Sequence, residues 1–138
     1  MKKFLFAVCL TLLLSGNSWA LDDGAVTVDV LAKTTSSWDG ETLPSYLTGQ
    51  AEVTILKISI PPHIQLPLHQ HPVISAGVLL KGELTILTKE GKTLHLRAGD
   101  SIVEVVNAWH YAINGSNEPA EIIVFYSGIQ GKPITIKE

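Results

Sequence analysis

From residue 52 onward, apolar and polar positions alternate in short runs. Residues 52–60 (EVTILKISI) approach a period of two, and residues 77–87 (GVLLKGELTIL) form a longer apolar run broken at Gly82. Glu90-Gly91 is a turn signal, and alternation resumes over residues 92–96. Ala98-Gly99-Asp100 turns again before the β-branched run 101–106. Ile113-Asn114-Gly115 turns once more ahead of residues 121–126 (EIIVFY). β-Branched and aromatic residues between such turns predict strands. Several short strands in succession predict an all-β sandwich or barrel. No segment after residue 20 holds an apolar period near 3.6 over three turns, so no helix is expected there. Residues 21–50 are less regular: 26–31 (VTVDVL) read as a strand, and 36–45 as ordered loop.

The first 20 residues follow a different pattern. Met1, Lys2 and Lys3 make a positive start, residues 4–14 an apolar run, and Ser18-Trp19-Ala20 a small-residue cleavage site before Leu21-Asp22-Asp23-Gly24. That is the layout of a secretory signal peptide. The apolar run falls short of the roughly 20 residues that span a bilayer, which argues against a membrane anchor. Cys9 lies inside the run rather than at the cleavage point, which argues against a lipoprotein. The expected organisation is a signal peptide over 1–20 and one β-domain over 21–138, with its informative core at 52–127. The short signal points to a bacterial periplasmic or secreted protein.

Composition narrows the function. Removing the signal leaves 138 − 20 = 118 residues, with 8 basic against 13 acidic side chains and a net charge of 8 − 13 = −5. A mildly acidic chain without a basic run argues against nucleic acid as a partner. Cleavage also removes the single cysteine, so neither a disulfide nor a thiol serves the mature protein.

Chemistry concentrates in histidines. His69 and His71 stand at i and i+2, which on a strand places both imidazoles on one face. Two such imidazoles make half of a metal site. Pro67 and Pro72 bracket the pair and limit its backbone freedom. A third histidine, His110, lies in residues 99–114 (GDSIVEVVNAWHYAIN).

Together these segments resemble the cupin family. The first cupin motif runs His-x-His, an acid three or four residues on, then a glycine six residues further, and His69, His71 and Gly82 occupy its places. The second runs G-x5-P-x-G-x2-H-x3-N, and Gly99, His110 and Asn114 match it. The resemblance implies a jelly-roll-like β-barrel holding one divalent transition metal (Fe, Mn, Ni or Zn) on His69, His71 and His110. It also implies a homodimer in which residues 26–31 add a strand to the partner's sheet, covering an edge. Departures are specific. Ser75 and Ala76 stand where the first-motif acid belongs, and Val105 and Asn107 replace the second-motif Pro and Gly. Asn tolerates the left-handed backbone that Gly often supplies. The missing acid is the larger change, and Glu104 is the candidate to replace it as ligand and as catalytic base. An acid among Val103, Val105 and Val106 is costly if buried without a partner; the alternative is an outward-facing Glu104.

Other positions carry milder expectations. His63 after Pro61-Pro62 could line the barrel mouth, Gln65 could point inward, and His95 alternates outward between Leu94 and Leu96. Trp109 and Tyr111 either pack the barrel or wall the pocket, and 114–116 close a turn. The three histidines support an enzyme of dioxygenase, isomerase or lyase type acting on a small molecule, with no membrane role after signal cleavage. A non-catalytic binding or sensory barrel, an interaction scaffold, and a degenerate barrel that has lost its metal remain open alternatives.

Overall fold

The structure is a computed structural model that describes residues 26–138; the signal-peptide assignment at 1–20 lies outside them. The described residues form nine strands: β1 (Ala51–Ile60), β2 (His69–Gln70), β3 (Ile74–Lys81), β4 (Glu83–Thr88), β5 (Thr93–Arg97), β6 (Ser101–Val103), β7 (His110–Ile113), β8 (Ala120–Ile129) and β9 (Ile136–Lys137). The described residues contain no helix. The all-β expectation holds. The strands form two sheets, ordered β1-β8-β3-β6 and β5-β4-β7-β2-β9, with antiparallel ladders throughout.

Alternation assigns the faces. On β8, Ala120, Ile122, Val124 and Tyr126 are buried, and on β4 so are Leu84, Ile86 and Thr88. These inward rows meet between the sheets with Ile60, Val73, Leu79, Leu96, Ile102 and Ala112 as one core. Burying such aliphatic side chains stabilises by roughly 1.5–3 kcal/mol each.

Gly82 explains why the long apolar run is two strands. Its φ of +77° is left-handed, and a Cβ there would sit 2.8 Å from the Pro119 carbonyl oxygen. Here the chain leaves one sheet (β3) and enters the other (β4). The run expected over 101–106 stops at Val103. Glu104 and Val105 are both buried, so alternation fails there. Asn107 then turns with φ +57° and donates its N–H to the His71 carbonyl. Asn thus fills the position where the cupin pattern has glycine. Residues 26–31 form no strand, contrary to expectation. Val26, Val28, Val30 and Leu31 are 59–83% exposed, and the segment finds no ladder partner among the described residues. Its Leu31 carbonyl accepts from the Ser101 hydroxyl, but without a neighbouring strand the segment forms no ladder.

Asn114 locks the other end of the second motif. It is fully buried, and its Nδ2 donates to the carbonyls of Ile60, Pro61 and Glu118. Its Oδ1 accepts from the Ser116 N–H and hydroxyl. One side chain thereby ties the ends of β1, β7 and β8 together, which confirms the turn read over 114–116.

Candidate metal centre

Two neighbouring strands and the bridge just after β2 bring the histidines together. His69 on β2 lies opposite His110 on β7, and directly opposed residues share a face. His71, two residues beyond His69, follows on the same side. Their ligand nitrogens lie within 4.8 Å of one another, and the ring centroids are 4.5–5.1 Å apart.

The backbone fixes which nitrogen faces inward. Nδ1 of His69 lies 2.7 Å from the Pro67 carbonyl oxygen, and Nδ1 of His71 lies 2.8 Å from that of Ile134. Nδ1 of His110 lies 2.9 Å from that of Ala108. A carbonyl only accepts, so each Nδ1 carries the proton and donates it. Every Nε2 is left with a lone pair aimed into the cluster. Buried histidines that only pack would exchange hydrogen bonds, yet His110 Nε2 is buried without a partner. Three imidazoles with Nδ1–H anchored to carbonyls form the donor set a divalent transition metal takes. Burial pushes the His71 imidazole down to about 4, with His110 and His69 adding to the effect against the Ile134 hydrogen bond. Burial also lowers His110. Burial thus favours the neutral, ligating form of both rings.

Glu104 faces inward. Its residue is buried, and its Oε2 lies 3.7 Å from His110 Nε2 with no hydrogen-bond partner. That separation resembles an ion pair. Burial, however, raises the Glu104 carboxyl to about 7 while it lowers His110, so in the metal-free site it favours the uncharged form of both groups over an ion pair. The contact is too long for a hydrogen bond but short enough for two ligands of one ion. Glu104 approaches His110 alone and stands outside the three-nitrogen group. Its backbone N–H donates to Ser75, the residue at the missing acid's place. Glu104 therefore stands on the chain segment beside the small buried Ser75.

A cavity of about 50 Å³ lies between the sheets beneath the histidines, lined by Glu104, Ile60, Leu84, Ile86 and Tyr126 among others. That space admits a few waters. Above it opens a cleft of about 360 Å³, which shares His69, His71, Ile58, Leu66 and Tyr126 with the cavity and adds Leu56, Thr135 and Lys137. The site is thus open on one side.

Several sequence expectations resolve against this geometry. His63 does not line the mouth: it is exposed in a left-handed turn and pairs with Asn117 at 3.1 Å. Gln65 is exposed and bridges Ile113 rather than pointing inward. The adjacent prolines and the left-handed His63 turn that segment toward solvent. His95 faces outward, as expected, beside Thr85. Trp109 and Tyr111 are half-buried and line neither cavity nor cleft, so they do not wall the pocket. Tyr126 was not singled out. Its ring packs edge-on against His71 at 5.2 Å, and burial, with Glu104 contributing, pushes its hydroxyl up to about 12. Its place in the inward row of β8 could have revealed it. The Ile134 carbonyl that orients His71 lies 63 residues away and left no signal in the sequence.

Comparisons agree on the architecture. An uncharacterised Klebsiella pneumoniae protein with a double-stranded β-helix domain matches with TM-score 0.56 and 18% identity, over 81% of this chain and 96% of that one. The DMSP lyase DddQ of Ruegeria pomeroyi matches at 0.53 and 21%, over 62% of this chain and 42% of that one. A Bacillus subtilis oxalate decarboxylase described for its Mn(II) centres matches at 0.53 and 19%, over 62% and 23%. This chain spans less than half of either enzyme, and at these identities the likeness is one of fold. No curated protein matches the sequence. The family model described as "Cupin domain" matches residues 56–126, slightly more than half the chain and the stretch that carries all three histidines, and the protein belongs to the cupin family.

Proposed function

We propose that this protein is an exported enzyme that acts on a small molecule through one divalent transition metal held by His69, His71 and His110. The observation that carries the reading is the set of three Nε2 lone pairs aimed at one point, each fixed by a carbonyl behind the ring. The cleft supports an enzyme over a structural site, because a structural metal is closed off by side chains on all sides.

When bound, the metal supplies Lewis acidity or a centre for dioxygen chemistry. The chain's own residues do the rest. Glu104, held near neutrality by burial, is the candidate base that takes and returns a proton at Oε2. It would alternatively serve as a fourth ligand to the metal. The Tyr126 hydroxyl stays protonated and serves as a donor. The aliphatic walls exclude water. A proton-active carboxyl beside a Lewis acid favours isomerase or lyase chemistry over oxygenation. The exported location rests on residues 1–20. A homodimer is supported by the apolar outer face of β1 and β8, where Val53, Ile55 and Phe125 are exposed, and by the unpaired segment 26–31.

Metal analysis tests the centre. The purified mature protein should carry close to one divalent ion per chain, and His110→Ala should lose it. Equal metal in both proteins would reject His110 as a ligand. Iron would favour oxygenase chemistry; zinc or nickel would favour the isomerase or lyase class. Metal without turnover on any small acid, aldehyde or ketone would leave a binding protein.

A further inference from the structure

The cleft above the histidines carries a charge that the metal centre does not explain. In the ladder of the second sheet, His110, His69 and Lys137 stand side by side on β7, β2 and β9. Directly opposed residues share a face, so Lys137 projects from the same side as two of the histidines and lines the cleft. Its ammonium makes no hydrogen bond or ion pair among the described residues, whereas neighbouring Glu138 is paired with Lys89. No carboxylate lines the cleft among the described residues. Leu56, Ile58, Leu66 and Pro67 make the apolar walls, Thr135 and Tyr126 complete the lining, and the volume of about 360 Å³ is at the low end for ligand pockets.

We propose that the substrate is a small organic acid with an apolar body, whose carboxylate is read by Lys137 while its hydrocarbon part packs on Leu56, Ile58, Leu66 and Pro67. This rests on the reading of the histidine cluster as a catalytic centre. Lys137 is then a specificity residue. It orients the acid from the rim, opposite the apolar wall, and sets which end of the molecule faces the histidines. A protein of net negative charge repels free acids at long range, so a single unpaired cation at the mouth supplies local selectivity.

Titration calorimetry with pentanoate and 3-phenylpropanoate, against pentanamide and 3-phenylpropanamide, tests the assignment on the metal-loaded mature protein. The acids should bind about tenfold tighter than the amides, as one charge-assisted hydrogen bond allows. Lys137→Met should remove that preference and leave amide binding and metal content unchanged; Lys137→Arg should keep it. Three results would overturn the inference: acids and amides binding equally, none of the probes binding, or Lys137→Met binding the acids like wild type, which would mean the ion alone holds them. Metal content measured on the same samples separates this from failure of the catalytic reading. A metal-free protein that still prefers acids through Lys137 would sink only the latter.

Discussion

Replacing Glu104 with Gln isolates the buried acid. In the metal-free protein its carboxyl is fully buried, meets only His110 Nε2 at 3.7 Å, and is raised from 4.5 to about 7. A raised acid favours the protonated form in the fold. Its contribution is therefore fully present below pH 4.5 and is lost as pH rises to about 7. The shift of roughly 2.5 units corresponds to about 3 kcal/mol, at about 1.36 kcal/mol per unit. Gln cannot ionise, so the metal-free variant keeps what the wild type loses. Denaturant unfolding of chelator-treated proteins, followed by Trp38 and Trp109 fluorescence, should show equal stability near pH 3.5, about one unit below the unfolded carboxyl's 4.5. At pH 8 Glu104→Gln should be the more stable, by up to about 3 kcal/mol. The depressed His71 and His110 destabilise both proteins as pH falls below 6.5, because their neutral forms are favoured only in the fold. That loss cancels in the difference. Loaded with metal, the order should reverse, because the carboxylate then has a cation to face. A difference that stays flat with pH, or a variant less stable at pH 8 without metal, would refute the account of Glu104 as an unpaired buried acid.

Other perturbations read other parts of the molecule. Chelation should lower the melting temperature of the native protein, and at a metal concentration of about 1,000 Kd the linkage is worth about 4 kcal/mol; His110→Ala should melt identically with and without chelator. Asn114→Ala strands the carbonyls of Ile60, Pro61 and Glu118 and should cost about 2–3 kcal/mol in denaturant unfolding, with a loss below about 0.5 kcal/mol contradicting the lock. Asn107→Val forces a β-branched residue to φ +57° and should cost about 1–2 kcal/mol, whereas Asn107→Gly should be neutral; calorimetric melting compares the two. Light scattering should give a dimer that Ile55→Asp dissociates, and a wild-type monomer would end the dimer proposal.

The sequence by itself determined the all-β class, most strand positions and the three histidines. Strand alternation is a local code: apolar rows such as Ile122, Val124 and Tyr126 can face only a core, and the His69 and His71 spacing places both rings on one side. Left-handed positions were also legible, since Gly82 and Asn107 are residue types that accept them. Only the tertiary structure decided which way Glu104 faces. Alternation fails at the turn after β6, where consecutive residues are both buried. It also decided that residues 26–31 form no strand within the chain, because pairing needs a neighbour that local sequence does not specify. The Pro67 and Ala108 carbonyls that hold His69 and His110 are local, but the Ile134 carbonyl behind His71, and Lys137 beside His69, depend on segments 60 or more residues apart meeting in register. Such register is set by the packing of whole sheets, and no short stretch of sequence contains it.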